Sequence, residues 1–292
     1  MILPSGKMNF MIINRKQWLF SYLALATLLL IFANPTRAQD QGIKYTFGVI
    51  PQFEAQKLRS IWQPIINYLK EESGYDLVIT GFPTIPDFEN ELFQGAFDFA
   101  YTNPYQITLI NRSIGYYPII KDVGRTLHGI LVVKIDSGIT EVSQLNGKTI
   151  AFPSPNALGA SLLLRQELHD IFQLNFFPRY VKTHDSVYLN VLLNEVSEGG
   201  GVQKTLDRQA PSFRAALKVI HKTKDVASHP ITAHPRVPDE VVNAIKAALL
   251  KLGASTEGMK LLSKIPMKQV GLAKMSDYLP LQAMGLERFY AR

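Results

Sequence analysis

The chain alternates between short runs in which every second residue is apolar and longer runs in which apolar residues recur every three or four positions. Lys44 to Ile50 is of the first kind, with Tyr45, Phe47 and Val49 on one face, and predicts a strand ended by Pro51. Ile61, Ile65 and Leu69 then predict the buried side of a helix reaching about Glu72, stopped by Gly74 and bent or restarted at Pro64. Leu77–Thr80 predicts a second strand, Pro86 to Gln94 a second helix, and Ala96-Phe97-Asp98-Phe99-Ala100 a short buried strand. This β-α-β-α-β order predicts a parallel sheet with crossover helices. Asn103 as cap, with Pro104 at the first helical position, starts another helix just beyond that strand. In open α/β sheets this is the edge where ligands bind.

Tyr116–Lys121 and Leu127–Ile135 predict further strands, the second long enough to run from one lobe into another. After a turn and a short helix in residues 136–148, Lys148 to Phe152 predicts a buried strand, which passes through Ser154, Pro155 and Asn156 into an Ala/Leu-rich helix beginning near Ala157. Such a junction leaves backbone N–H groups unpaired at the positive end of a helix dipole, an arrangement suited to an anion. Phe176–Lys182 predicts a strand leading to Thr183-His184-Asp185-Ser186 and a helix to Asn194. Gly199-Gly200-Gly201 predicts a close-approach strand end lining a cleft, without the Gly/Lys spacing of a phosphate-gripping loop. Leu217–Ile220 predicts a strand and His229–His234 a return crossing. Pro238 to Leu252 predicts a helix with Val241, Ile245, Ala248 and Leu252 buried and Gly253 as its end. The sum is an α/β protein of two Rossmann-like lobes joined by two crossings. Residues 39–130 form the first part of lobe I, 131–226 form lobe II, and 227–292 return to lobe I with the C-terminal helices.

Charge and composition narrow the function. Lys7, Arg15 and Lys16 precede an apolar run from Trp18 to Ala33, and Thr36-Arg37-Ala38 supplies small residues before a cut after Ala38. That is the layout of a secretory signal peptide over residues 1–38, with an uncleaved membrane anchor as the alternative. The formal charge of +7 includes four cations and no acid in residues 1–38, leaving +3 on the remainder. With no basic cluster carrying interleaved aromatics, nucleic acid is excluded as a partner. The absence of cysteine excludes disulfides and thiolate metal sites. There is no HExxH pattern, no G-x-S-x-G nucleophile context around Ser154 or Ser161 and no carboxylate pair set for acid/base work. An enzyme, a metal site and a cofactor are therefore not expected.

Four stretches carry a family resemblance. They are Gly95–Tyr101 with Asn103-Pro104-Tyr105; Leu145–Phe152 running on to Ser154-Pro155; His184-Asp185-Ser186-Val187; and Ile231–Pro235 followed by the C-terminal helices. With these the chain resembles the phosphate/phosphite/phosphonate-type substrate-binding proteins of ABC transporters, a branch of the type II periplasmic binding proteins. The resemblance implies a periplasmic solute-binding protein that closes on a small phosphorus oxyanion or related anion and hands it to an ABC permease. A membrane-tethered sensory module of the same fold is the alternative. From the family pattern, Tyr101 or Tyr105 would contact ligand from the first lobe. The turn of Ser154, Asn156, Ala157, Leu158 and Gly159, together with His184, would contact it from the second. One departure stands out: the family's Ser-Thr-Ser-Gly run is replaced by Ala157-Leu158-Gly159-Ala160. The hydroxyl donors are gone, at about 1.5–3 kcal/mol for each charge-assisted bond. Asp98 is expected to bond neighbouring backbone, and Asp185 to cap the helix that follows it.

Overall fold

The computed structural model describes residues 43–265 and 267–291; the expected leader over 1–38 lies outside them. The alternating run becomes β1 (Lys44–Val49), with Phe47 and Val49 fully buried. The helix α1 (Ala55–Ser73) buries Leu58, Ile61, Trp62, Ile65, Ile66 and Leu69 and ends on Gly74 in the left-handed conformation; Pro64 sits inside it without ending it. Next come β2 (Asp76–Thr80), α2 (Ile85–Phe93), β3 (Phe99–Tyr101), α3 (Pro104–Ser113) and β4 (Tyr117–Asp122). β1 pairs in parallel with both β2 and β3, as the β-α-β-α-β order requires. β3 starts later than its apolar run suggests. Asp98, just before it, accepts from the Thr46 amide (2.8 Å) and hydroxyl (2.9 Å) and pairs with Arg236 (2.7 Å).

A second sheet takes the middle of the chain: β5 (Ile130–Lys134), β6 (Thr149–Phe152), β7 (Phe177–Tyr180), β8 (Glu198–Gly201) and β9 (Leu217–Lys222), in the order β7-β6-β8-β5-β9. A π-helical turn, Leu158–Leu163, runs into α4 (Leu164–Asp170); α5 (His184–Leu192), α6 (Gln203–Asp207) and α7 (Pro211–Ala215) complete this half. β5 is buried on both faces. Ile130 and Val132 join one apolar cluster and Leu131 another, which is why β5 reads as a continuous apolar run. The glycines of β8 do not line a cleft. A Cβ on Gly199 would stand 2.4 Å from Val187, one on Gly200 2.1 Å from the Ala160 carbonyl, and one on Gly201 2.2 Å from the Tyr188 hydroxyl. What approaches this strand is α5 and the π-helical turn, not a ligand.

Two crossings connect the halves, and they pair with each other: Leu127 and Val226 exchange backbone hydrogen bonds of 2.9 and 2.8 Å. Asp225 on the second crossing also accepts from Thr126 and meets His128, both on the first, at 2.9 Å. The chain then adds β10 (Ile231–Ala233) antiparallel between β3 and β4, α8 (Asp239–Ala254), α9 (Thr256–Leu262) and β11 (Val270–Leu272), giving a first sheet ordered β11-β4-β10-β3-β1-β2. Gly253 lies inside α8 and does not end it. Its missing Cβ makes room for Val270 of β11, 2.4 Å from where that atom would be, and the stop falls at Ser255, whose hydroxyl caps α9 by accepting from Gly258. Among the described residues no helix is long and apolar enough to cross a membrane.

Candidate functional site

Two strand-to-helix junctions face each other where the halves meet. At the first, β3 to α3, Asn103 Oδ1 accepts from the amides of Tyr105 and Gln106, both at 2.9 Å, and Gln106 Oε1 accepts from the Asn103 amide. This capping box uses the helix's own side chains to satisfy its first donors. At the second, β6 to the π-helical turn, no side chain caps the start. The amides of Leu158, Gly159 and Ala160 have no acceptor among the described residues, while those of Ser161 and Leu162 both donate to Ala157 O. Asn103 Nδ2 joins the junctions by donating to Asn156 O at 3.1 Å.

Between them lies an inner cavity lined by Gln52, Asn103, Ala157, Leu158, Gly159, Ala160, His184 and His229. Its volume is about 20 Å³, room for roughly one water. Ala157 and Leu158, almost fully buried, belong to the apolar core of the first lobe. The space in front of the uncapped amides is therefore small and largely apolar on this side. His184 and His229 are both buried. Burial lowers His184 to about 4, and burial with His184 nearby lowers His229 to about 3, so both are neutral at pH 7. The Gln52 amide nitrogen lies 3.2 Å from His229 Nε2. His184 Nδ1 meets Thr205 Oγ1 at a long 3.5 Å.

The inner cavity adjoins a wider one of about 280 Å³, with Gln52, Leu127, Val202 and His229 common to both. Its wall comes from the first lobe (Phe53), from both crossings (Arg125, Thr126, His128, Ser228) and from α6 and its C-cap (Lys204, Thr205, Asp207, Arg208). Lys204 is held below its ordinary value by burial and by Arg208 and Arg125 nearby. Contacts span this opening. Arg208 lies over the Phe53 ring (5.1 Å) and donates to Ser263 O (3.2 Å) and Lys264 O beside α9, and Lys57 on α1 pairs with Asp185 on α5 at 3.3 Å.

The other residues singled out from the sequence are dispersed. Tyr101 is fully buried with its ring between Trp62 (4.9 Å) and His229 (5.3 Å), and its hydroxyl has no partner among the described residues. It supports the cavity from beneath. Tyr105 and Asn156 line a separate cavity of about 750 Å³ with Glu89 and Tyr290. There Asn156 donates to Glu89 (2.7 Å) and Ala291 O (2.8 Å), bonds that fix the C-terminal segment and hold Asn156 in place. Ser154 is buried and lines neither opening of the cleft. Asp185 does not cap α5; Thr183 does, accepting from Ser186 at 3.1 Å, which frees Asp185 for Lys57 and Gln209. His234 turns away from His229 to pack edge-on against Tyr116. No three His, Cys, Asp or Glu among the described residues could hold a metal ion together.

The cleft-lining residues that sequence reasoning did not single out include Gln52, Arg125, Lys204 and Arg208. One signal was available, since Lys204 and Arg208 are four apart and share a face of a short helix directly after the triple glycine.

Against known proteins, residues 47–278 match the model of the family described as ABC transporter, phosphonate, periplasmic substrate-binding protein. Among solved structures, the chain is similar to a binding protein of an ABC phosphonate transporter from Pseudomonas aeruginosa, with TM-score 0.76, 18% identity, and 85% of this chain and 88% of that one covered. It is also similar to a Prochlorococcus marinus protein solved with methylphosphonate (TM-score 0.76, 12% identity, 84% and 98% covered). A Xanthomonas citri protein solved with ATP aligns with TM-score 0.68 at 16% identity, over 84% and 98% of the two chains. At these identities the structural likenesses show the fold, that of type II periplasmic binding proteins.

Proposed function

The chain belongs to the phosphonate ABC transporter periplasmic substrate-binding family, and on that premise we propose that it captures a small phosphorus oxyanion, or a related anion, and delivers it to the permease by closure of its two lobes. Family membership makes it a transport protein working outside the cytoplasm with an ABC permease as partner, and not an enzyme. In the proposed cycle, residues 39–130 with 227–292 act as one lobe and 131–226 as the other. The paired crossings at Leu127 and Val226 serve as the hinge, and residues 1–38 serve as the export signal.

The observation that carries this reading is the origin of the cleft wall: Phe53 from one lobe, Lys204 and Arg208 from the other, and Arg125 and Ser228 from the crossings. A solute touching all of these gains contacts when the lobes approach and loses them when they part, which is the differential affinity a closing motion needs. Contacts already bridging the lobes, Lys57–Asp185 and Arg208 over Phe53, give closure a defined end point.

The test is a thermal-shift panel on the purified protein with phosphate, phosphite, methylphosphonate, phosphonoacetate and sulfate. A solute bound by the folded state alone raises the melting temperature by linkage, about 2.7 kcal/mol of stabilisation at a hundred times Kd. A clear shift with at least one phosphorus oxyanion is expected. No shift with any of the five solutes overturns the proposal.

A further inference from the structure

The cleft is asymmetric in charge. Arg125, Lys204 and Arg208 line its wider part against a single carboxylate, Asp207. Among the described residues no carboxylate stands within ion-pair distance of those three cations, and Arg208 instead donates to the carbonyls of Ser263 and Lys264. Lys204 and Arg208 are half-buried and close enough to disfavour each other's charge. Collecting like charges at a partly desolvated site is unfavourable unless an anion joins them. The inner cavity has the opposite character: about 20 Å³, walled by Ala157, Leu158 and two neutral histidines.

Resting on the transport reading above, we infer that the anionic group of the ligand is held by Arg125, Lys204 and Arg208 at the wide part of the cleft, and that the ligand carries two separate acidic groups and no cationic group. The about 280 Å³ available there accommodates a small organic molecule with two acidic groups, which the inner cavity does not. Gln52, Thr126 and Ser228 supply neutral hydrogen bonds around it. An ammonium group brought into the same space meets three cations and only Asp207, so zwitterionic amino-phosphonates are disfavoured.

Isothermal titration of the purified protein with phosphonoacetate, methylphosphonate and 2-aminoethylphosphonate tests this. Phosphonoacetate carries a second acid, methylphosphonate none, and 2-aminoethylphosphonate an ammonium. The expected order is phosphonoacetate tightest, methylphosphonate weaker by about tenfold or more, and 2-aminoethylphosphonate weakest. Lys204→Gln and the exposed Arg125→Gln should each weaken phosphonoacetate about tenfold and shrink its advantage over methylphosphonate, with the melting temperature of the free protein unchanged. Raising salt should erode the phosphonoacetate affinity most. Methylphosphonate or 2-aminoethylphosphonate binding as tightly as phosphonoacetate, with both variants unaffected, overturns the inference and leaves the transport reading standing. No binding of any of the three, together with a flat thermal-shift panel, overturns both.

Discussion

The two junctions that face each other across the molecule solve one problem in opposite ways. Where β3 enters α3, Asn103 and Gln106 satisfy the first amides of the helix, and Pro104 removes one donor altogether. Where β6 enters the π-helical turn, no side chain caps the start, and the amides of Leu158, Gly159 and Ala160 have no acceptor among the described residues. Counting donors alone makes the second junction the anion site. The cavity in front of it, however, holds only about 20 Å³, and Arg125, Lys204 and Arg208 line the neighbouring wider one. Available hydrogen-bond donors make a site only where there is volume for the acceptor.

The second junction is the more sensitive of the two to substitution. Gly200→Ala would drive a Cβ to 2.1 Å from the Ala160 carbonyl and 2.6 Å from Phe152. It should cost about 3 kcal/mol in a urea-denaturation experiment, from overpacking in a site with no flexible neighbour. If stability hardly changes, the turn is not wedged against β8 as described.

The cavity between the junctions should show itself through pH. His229 is lowered to about 3 when folded and returns to about 6.5 when unfolded. Below about pH 6.5 the unfolded chain binds the extra proton, so the contribution is complete above that pH and is lost as pH falls toward 3. The slope is about 1.4 kcal/mol per pH unit for one group. Glu198, raised to about 7 by burial, pulls the other way. Comparing wild type with His229→Gln removes that confusion. The wild type should lose about 2 kcal/mol more than the variant between pH 7 and pH 5. Equal losses would mean His229 is not held neutral.

The first junction should give less. Asn103→Ala removes a cap serving two amides and the bond to Asn156 O, and should cost about 1.5 kcal/mol by chemical denaturation. A change below a few tenths would mean that the cap is dispensable. The smallest effect belongs to the exposed Lys57–Asp185 pair: Lys57→Ala should alter stability by at most about 0.5 kcal/mol. A loss of 2 kcal/mol or more would show that the pair does far more than touch across the opening.

Much of the fold was legible because local patterns and tertiary needs agree. The alternation at Tyr45, Phe47 and Val49, the stripe through Ile61, Ile65 and Leu69, and the Asn103-Pro104 start all appear where the sequence places them. Glycine misled wherever its partner is distant in the chain. Gly253 reads as a stop until Val270 is seen against it, and Gly199–Gly201 read as a ligand wall until Val187, Ala160 and Tyr188 occupy the space. The candidate site was legible only in part. Ala157, Leu158, Gly159 and His184 do share one cavity, whereas Tyr105 and Asn156 line another. Arg125, on the first crossing, lies about eighty residues from Lys204 on α6, and the fold brings them to one cavity. That convergence is a property of topology, which local periodicity does not encode.

A crystal structure of the phosphonoacetate complex would show where the anion sits. The account predicts an acidic group within hydrogen-bonding distance of Lys204 Nζ and of the Arg125 or Arg208 guanidinium, with Leu158 still packed in the core. A phosphorus atom seated on the amides of Leu158, Gly159 and Ala160, with His184 donating to it and the three cations free, would contradict the account.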